Sequence, residues 1–114
     1  MNKKKITICK KQVMVAYCIA TEIAFHNFTG LSIDAMDYSN PEHVVYLILS
    51  AISAYYQKED KEAPIKDENL MYDAAPEEVV NAIKEIVALR AEFYKKMIGD
   101  KSEDTADDGK EKNA

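Results

Sequence analysis

The residues of this 114-residue chain that could do chemistry are few and widely spread. Cys9 and Cys18 are the only cysteines, and His26 and His43 the only histidines. The cysteines do not form a CxxC pair, and two thiols with two imidazoles at such irregular spacing do not make a zinc ligand set. Two cysteines are also too few for the disulfide framework of a secreted domain, so both are expected to be reduced thiols, with Cys18 in the core. Glu22 and His26 stand four residues apart and would share one face of a helix, the one pairing that acid–base chemistry could use. A polar cavity around them would favour an enzyme; a half-buried helical pair is the plainer reading. Gly30, Gly99 and Gly109 are the only glycines, and none stands where a loop could cradle phosphate. No nucleophile elbow and no metalloprotease helix motif is present. The segment Ile33-Asp34-Ala35-Met36-Asp37 is similar to the attachment site of acyl carriers, but Ala35 stands where the modified serine would be. The expectation is a non-enzyme with no cofactor and no metal.

Charge narrows the partners. The net charge is −5, a poor match to duplex nucleic acid, which is bound through phosphate neutralisation. The charge is uneven. Residues 1–12 hold five lysines and no acid, which leaves ten basic against twenty acidic residues in the rest of the chain. The basic end keeps open a regulatory or antitoxin-like binder that uses a Lys-rich arm. The longest apolar stretch, Val44 to Tyr56, is about 13 residues, short of the ~20 of a membrane span. The basic start, Met1 to Lys5, is interrupted by Lys10, Lys11 and Gln12 where a signal peptide needs apolar residues. A cytosolic protein is expected, and the sequon Asn27-Phe28-Thr29 is then a coincidence.

The elements that would position these residues follow from periodicity and punctuation. Lys5 to Ile8 alternates polar and β-branched residues, a short strand, and Gln12 to Val15 returns after a Lys10-Lys11 turn. Such a two-stranded ribbon must lie on helices or pair with another chain. From Val15 to Thr29 the spacing becomes helical, with one stripe through Val15, Cys18, Ile19, Glu22, Ile23 and His26 and another through Ala16, Ala20, Ala24 and Phe28; Gly30 supplies the stop. After a linker to Ser39, Asn40-Pro41-Glu42 starts a helix running to Gln57 that is apolar nearly all round. Pro64 bars its continuation. Asp67 to Asp73 forms a short helical turn. Pro76-Glu77-Glu78 opens the last helix, whose stripe includes Val79, Ile83, Ile86, Phe93 and Tyr94, and Gly99 ends it. Residues 100–114 carry six acids, three lysines and no large apolar residue, and are expected to be a disordered tail.

The fold expected is mainly α: a compact bundle of three main helices plus a short helical turn, with a small N-terminal β-strand or ribbon, over residues 1–99. The order of elements resembles the tail assembly chaperones of long-tailed phages and prophages over Ile6 to Ile98. The matching features are the strand Ile6-Thr7-Ile8, the helix ending Phe25-His26-Asn27-Phe28-Thr29-Gly30-Leu31-Ser32, the acidic linker with Met36 and Asp37, the apolar central helix, and the Glu77-Glu78-Val79 opening. The resemblance implies a cytoplasmic protein of a bacterial host that binds the tape-measure protein, keeps it soluble and helps recruit tail-tube subunits. A frameshifted longer form would then begin near the acidic tail. The physical reading is parallel: too few helices are available to cover the central one. That predicts an apolar groove for a partner helix or a second copy, lined by Val44, Leu47, Ile48, Ile52, Tyr55, Tyr56, Phe93 and Tyr94.

Overall fold

The computed structural model describes residues 2–98. Two strands, β1 (Asn2–Ile8) and β2 (Lys11–Tyr17), form an antiparallel hairpin; then come α1 (Ile19–Thr29), a 3-10 turn (Ile33–Ala35), α2 (Pro41–Lys58), α3 (Asp67–Tyr72) and α4 (Pro76–Ile98). The described part is thus mostly helical, with four helices and a small N-terminal sheet. No helix among the described residues is long and apolar enough to cross a membrane. The Gly99 stop and the expected tail, 100–114, lie outside the described residues.

The hairpin is no appendage. In register, Ile6 faces Val13, Lys4 faces Val15 and Asn2 faces Tyr17, and Ile6, Ile8, Val13, Val15 and Tyr17 are buried, all on this one face. α4 lies along this ribbon, antiparallel to β1: its start meets the hairpin turn through Glu78, its middle meets Lys4 through Glu85, and its end meets Asn2 through Lys96. α2 also packs on β2, and Ala16 of that strand is buried as well. The strands extend beyond the expected Lys5–Ile8 and Gln12–Val15. The helix expected from Val15 starts only at Ile19, because Val15 to Tyr17 pair with Lys4 to Asn2 and are held in the core, with β-branched Val15 and aromatic Tyr17 suited to a strand.

The two-residue turn is made by Cys9 and Lys10, both with positive φ (53° and 62°). That is the backbone of a type I′ turn, usually given to Asn or Gly, and it costs these residues roughly 1 kcal/mol or more each. Glu78 holds it in place. Its two carboxylate oxygens accept the N–H of Cys9 at 2.8 Å and of Lys10 at 3.0 Å, while Oε1 also accepts the Ala75 N–H at 3.1 Å, closing the N-terminus of α4. One carboxylate therefore joins a strained turn to a helix start, and these N–H groups hold its pKa below the ordinary glutamate value.

The other punctuation reads as the sequence implies. Gly30 adopts φ 76° and donates its N–H to His26 O at 2.7 Å, and Asn40 caps α2 by accepting the Glu42 N–H at 2.9 Å. The end of α2 is different: the left-handed residue there is Asp60, φ 56°, a conformation that Asp tolerates better than most side chains.

Candidate functional site

The orientation of α1 decides what this molecule presents to solvent. Thr21, fully buried, sets it. Its Oγ1 donates to Ala16 O at 2.9 Å and accepts the Cys18 N–H at 3.1 Å, so the helix is tied to the end of β2 with Thr21 turned inward. Phe25, four residues on, is then also inward and fully buried. Everything on the opposite side must face out. Ile19 and Ile23 are 59% and 56% exposed, and Phe28 is 43% exposed, stacked on Tyr46 at 5.0 Å between ring centroids. This corrects the expected stripe: Ile19, Ile23 and His26 were placed on one face, and they share it, but it is the solvent face.

On one flank of this ridge is an open cleft of about 310 Å³ whose walls include Ile19, Ile23, His26, Ile33 and Tyr94. Its polar wall is a network gathered from four elements. Glu22 Oε2 accepts the Tyr17 hydroxyl at 2.8 Å and also the Tyr94 hydroxyl. Arg90 lies over the Tyr94 ring, 5.0 Å from its centroid, and pairs with Asp34 of the 3-10 turn. The Arg90 Nε is buried without a hydrogen-bond partner among the described residues. Burial, then the bond to Glu22, pushes the Tyr17 hydroxyl well above the ordinary tyrosine pKa; for Tyr94 the bond to Glu22 leads and burial follows. Glu22 and His26 do line the same cleft, but one carboxylate oxygen is already taken by two phenols. The arrangement fixes the ends of β2, α1 and α4 to one another. It holds no nucleophile beside a base.

On the other flank, α1 and α2 leave a shallow depression lined by Ala20, Ala24, Phe28 and Ser53, with Ile23 on its lip as well. The crest of α1 thus carries isoleucines one turn apart, between two recesses of largely apolar character.

The groove expected along the central helix is filled. Leu47, Ile48 and Ile52 are at most 1% exposed and belong to the core, because the β-ribbon covers the face of α2 that helices alone would have left open. Val44, Tyr55, Tyr56, Phe93 and Tyr94 are half-buried. Tyr56 uses its hydroxyl to accept the Met14 N–H at 3.2 Å, Tyr55 lies 6.0 Å from the Lys3 ammonium, and Phe93 packs on Tyr17 at 5.5 Å. Of the eight residues, only Tyr94 reaches the cleft. Val44 instead lines a separate small recess with Tyr38, Val79, Val80 and Ile83.

Cys9 and Cys18 stand at opposite ends of β2, separated by a strand of about 23 Å, and both are free thiols. Cys18 is half-buried at the start of α1, not in the core; Cys9 donates its Sγ–H to Asn69 O at 3.3 Å, and burial, then the nearby Glu78 charge, raises its pKa. Among the described residues no group of three or more potential metal ligands is found.

Sequence reasoning had no means of finding the Tyr17–Glu22–Tyr94 contact, which joins residues 72 positions apart. The dual role of Glu78 was half visible: its place three residues into α4 marks a helix start, but nothing local points it at Cys9. Comparison with family models, curated proteins and solved structures finds no match for this chain.

Proposed function

We propose that the chain is a non-enzymatic protein-binding module that receives a helical segment of its partner against the outward face of α1. The observation that carries this reading is the inverted burial of α1, which turns Thr21 inward and leaves Ile19 and Ile23 more than half exposed. Large aliphatic side chains one turn apart on a ridge, flanked by shallow recesses, are what a second helix meets when side-chain rows of one helix enter the grooves of another. Glu22, the carboxylate of the cleft, is engaged by two tyrosines and ties elements together in place of acting on a ligand.

The biological role that goes with this surface is the one the element order resembles, a phage tail assembly chaperone acting in the bacterial cytoplasm. Its partner would be the tape-measure protein, a long helical chain that needs its apolar stripe covered before the tail tube forms around it. Val80 and Val87, exposed on α4, and Tyr38 add a second apolar area available to tail-tube subunits or to another copy.

The test is co-expression with a phage tape-measure protein. The wild-type chain should keep that protein soluble and co-purify with it, and Ile19→Asp/Ile23→Asp should lose both effects while folding normally. Co-purification undiminished by the double substitution would move the binding surface away from α1. Absence of any interaction with the wild-type chain would end the chaperone reading.

A further inference from the structure

The two outer edges of the β-ribbon are finished differently. The hairpin closes its turn on the pair Ile8–Lys11, so ladder bonds recur at every second pair, Ile6–Val13 and Lys4–Val15. The backbone N–H and C=O of Lys3, Lys5 and Thr7 on β1, and of Gln12, Met14 and Ala16 on β2, therefore point away from the partner strand. On β2 the fold itself takes two of these groups: Tyr56 accepts the Met14 N–H at 3.2 Å and Thr21 donates to the Ala16 carbonyl at 2.9 Å. On β1 none of the outward groups has a hydrogen-bond partner among the described residues, and Lys3, Lys5 and Thr7 are all exposed.

The side chains along this edge carry one sign of charge. Lys3, Lys5 and Thr7 share the face of the ribbon opposite to that of Ile6 and Ile8. The carboxylates that α4 sends to the hairpin, Glu78 and Glu85, are engaged by the turn amides and by Lys4 at 3.3 Å. Neither Lys3 nor Lys5 has a carboxylate within ion-pair distance among the described residues. Lys96 Nζ, bonded to Asn2 Oδ1 at 3.2 Å, adds a further cation at the start of the strand.

Such an edge discriminates among occupants. Lysines on an edge are a common guard against pairing between copies. Here antiparallel pairing of two β1 strands would set Lys5 against Lys5, or Lys3 against Lys5, on one face, which is destabilising. A nucleic acid backbone could use the ammonium groups but would leave the outward carbonyls unmatched. An extended peptide with acids at alternate positions meets both demands. Antiparallel addition puts two of its carboxylate side chains opposite Lys3 and Lys5, with Cβ atoms about 5 Å apart. The outward backbone groups recur every ~6.8 Å, so about five residues of such a segment reach all three of Lys3, Lys5 and Thr7.

We infer that the outer edge of β1 accepts, by strand addition, an extended acidic segment of another protein, with carboxylates at alternate positions against Lys3 and Lys5. This inference does not depend on the role proposed above for α1.

Amide hydrogen exchange on the full-length protein tests it, with a blocked seven-residue peptide of alternating glutamate and threonine as the probe. At about 1 mM peptide and low salt, the amides of Lys3, Lys5 and Thr7 should exchange about threefold more slowly or better, which corresponds to about two-thirds occupancy. The amides of Met14 and Ile23 should not change. The same peptide methylated on every backbone nitrogen keeps its charge but cannot donate to the strand, and should give no such protection. Lys3→Gln/Lys5→Gln should weaken binding of the unmethylated peptide about threefold or more. Ile19→Asp/Ile23→Asp should leave it unchanged, so that failure here and failure at α1 are read separately. Absence of protection would overturn the inference, and equal protection by the methylated peptide would reduce it to charge attraction and overturn it as well. Protection that grows with protein concentration in the absence of peptide would seat a second copy on the edge and refute it. So would a short DNA duplex that binds Lys3 and Lys5 more tightly than the peptide does, by assigning the edge to nucleic acid.

Discussion

Replacing Thr21 by valine should cost this fold about 2 kcal/mol, although the two side chains have nearly the same size and valine is the more apolar. Thr21 is fully buried, and its hydroxyl serves both the Ala16 carbonyl at 2.9 Å and the Cys18 N–H at 3.1 Å. Valine fills the same space, so no cavity opens, and the added methyl favours burial by up to about 0.8 kcal/mol. Against this, two backbone groups lose their partner. The Ala16 carbonyl belongs to a residue with no exposed surface and bears the full penalty of an unmade buried hydrogen bond, about 1–3 kcal/mol. Cys18 is half-buried, so water recovers part of its loss. The net of about 2 kcal/mol corresponds to a Tm lower by roughly 8–16 °C in a domain of this size. Urea denaturation followed by far-ultraviolet circular dichroism measures it, with the slope against denaturant unchanged if the folded and unfolded states keep their compactness. Thr21→Ser separates the hydroxyl from the methyl: it keeps both bonds and loses about 1 kcal/mol of packing. If Thr21→Val proves as stable as the natural chain, or more stable than Thr21→Ser, the hydroxyl does not orient α1 and the account of its inverted burial fails.

Three further outcomes follow from the same contacts. The hydroxyls of Tyr17 and Tyr94 are both raised above the ordinary value of 10.0, so the stability they contribute is complete below pH 10 and falls as pH rises beyond it, where the unfolded tyrosines ionise first. The urea midpoint should drop as pH rises above about 10, and Tyr17→Phe should flatten that drop; an identical slope in the variant would remove the Glu22 network from the explanation. Glu78, held below its ordinary value of 4.5, contributes stability that is present above pH 4.5 and lost as pH falls through its lower folded value, so Glu78→Gln should be less stable at neutral pH and lose less on acidification. Tyr56→Phe removes the only acceptor of the outward Met14 N–H and should destabilise by about 1 kcal/mol, with faster exchange at that amide alone on β2.

Much of the architecture was legible because it depends on local chemistry. Asn40-Pro41-Glu42 starts a helix wherever it stands, Gly30 ends one because it alone takes φ 76° without strain, and Pro76 with Glu77 and Glu78 opens another. The predominance of helix and the presence of an N-terminal ribbon follow from the same signals. Periodicity also placed Ile19, Ile23 and His26 on one face of α1, and they share one.

Tertiary structure alone decided which way that face points. A helical stripe specifies which residues lie together and not whether they meet the core; two threonine hydrogen bonds at the end of β2 outweighed two isoleucines and turned them to solvent. The same holds for α2. Its all-round apolar surface is a sign of a central helix, but the pattern does not show how much of that surface the N-terminal ribbon screens; β2 packs along α2, and Leu47, Ile48 and Ile52 are buried. The Glu22–Tyr94 contact, the grip of Glu78 on the hairpin turn and the meeting of Lys96 with Asn2 each join residues 69 to 94 positions apart. Contacts of that separation leave no periodic trace in the chain, since they exist only after the antiparallel docking of α4 along β1 has brought the two ends of the sequence together.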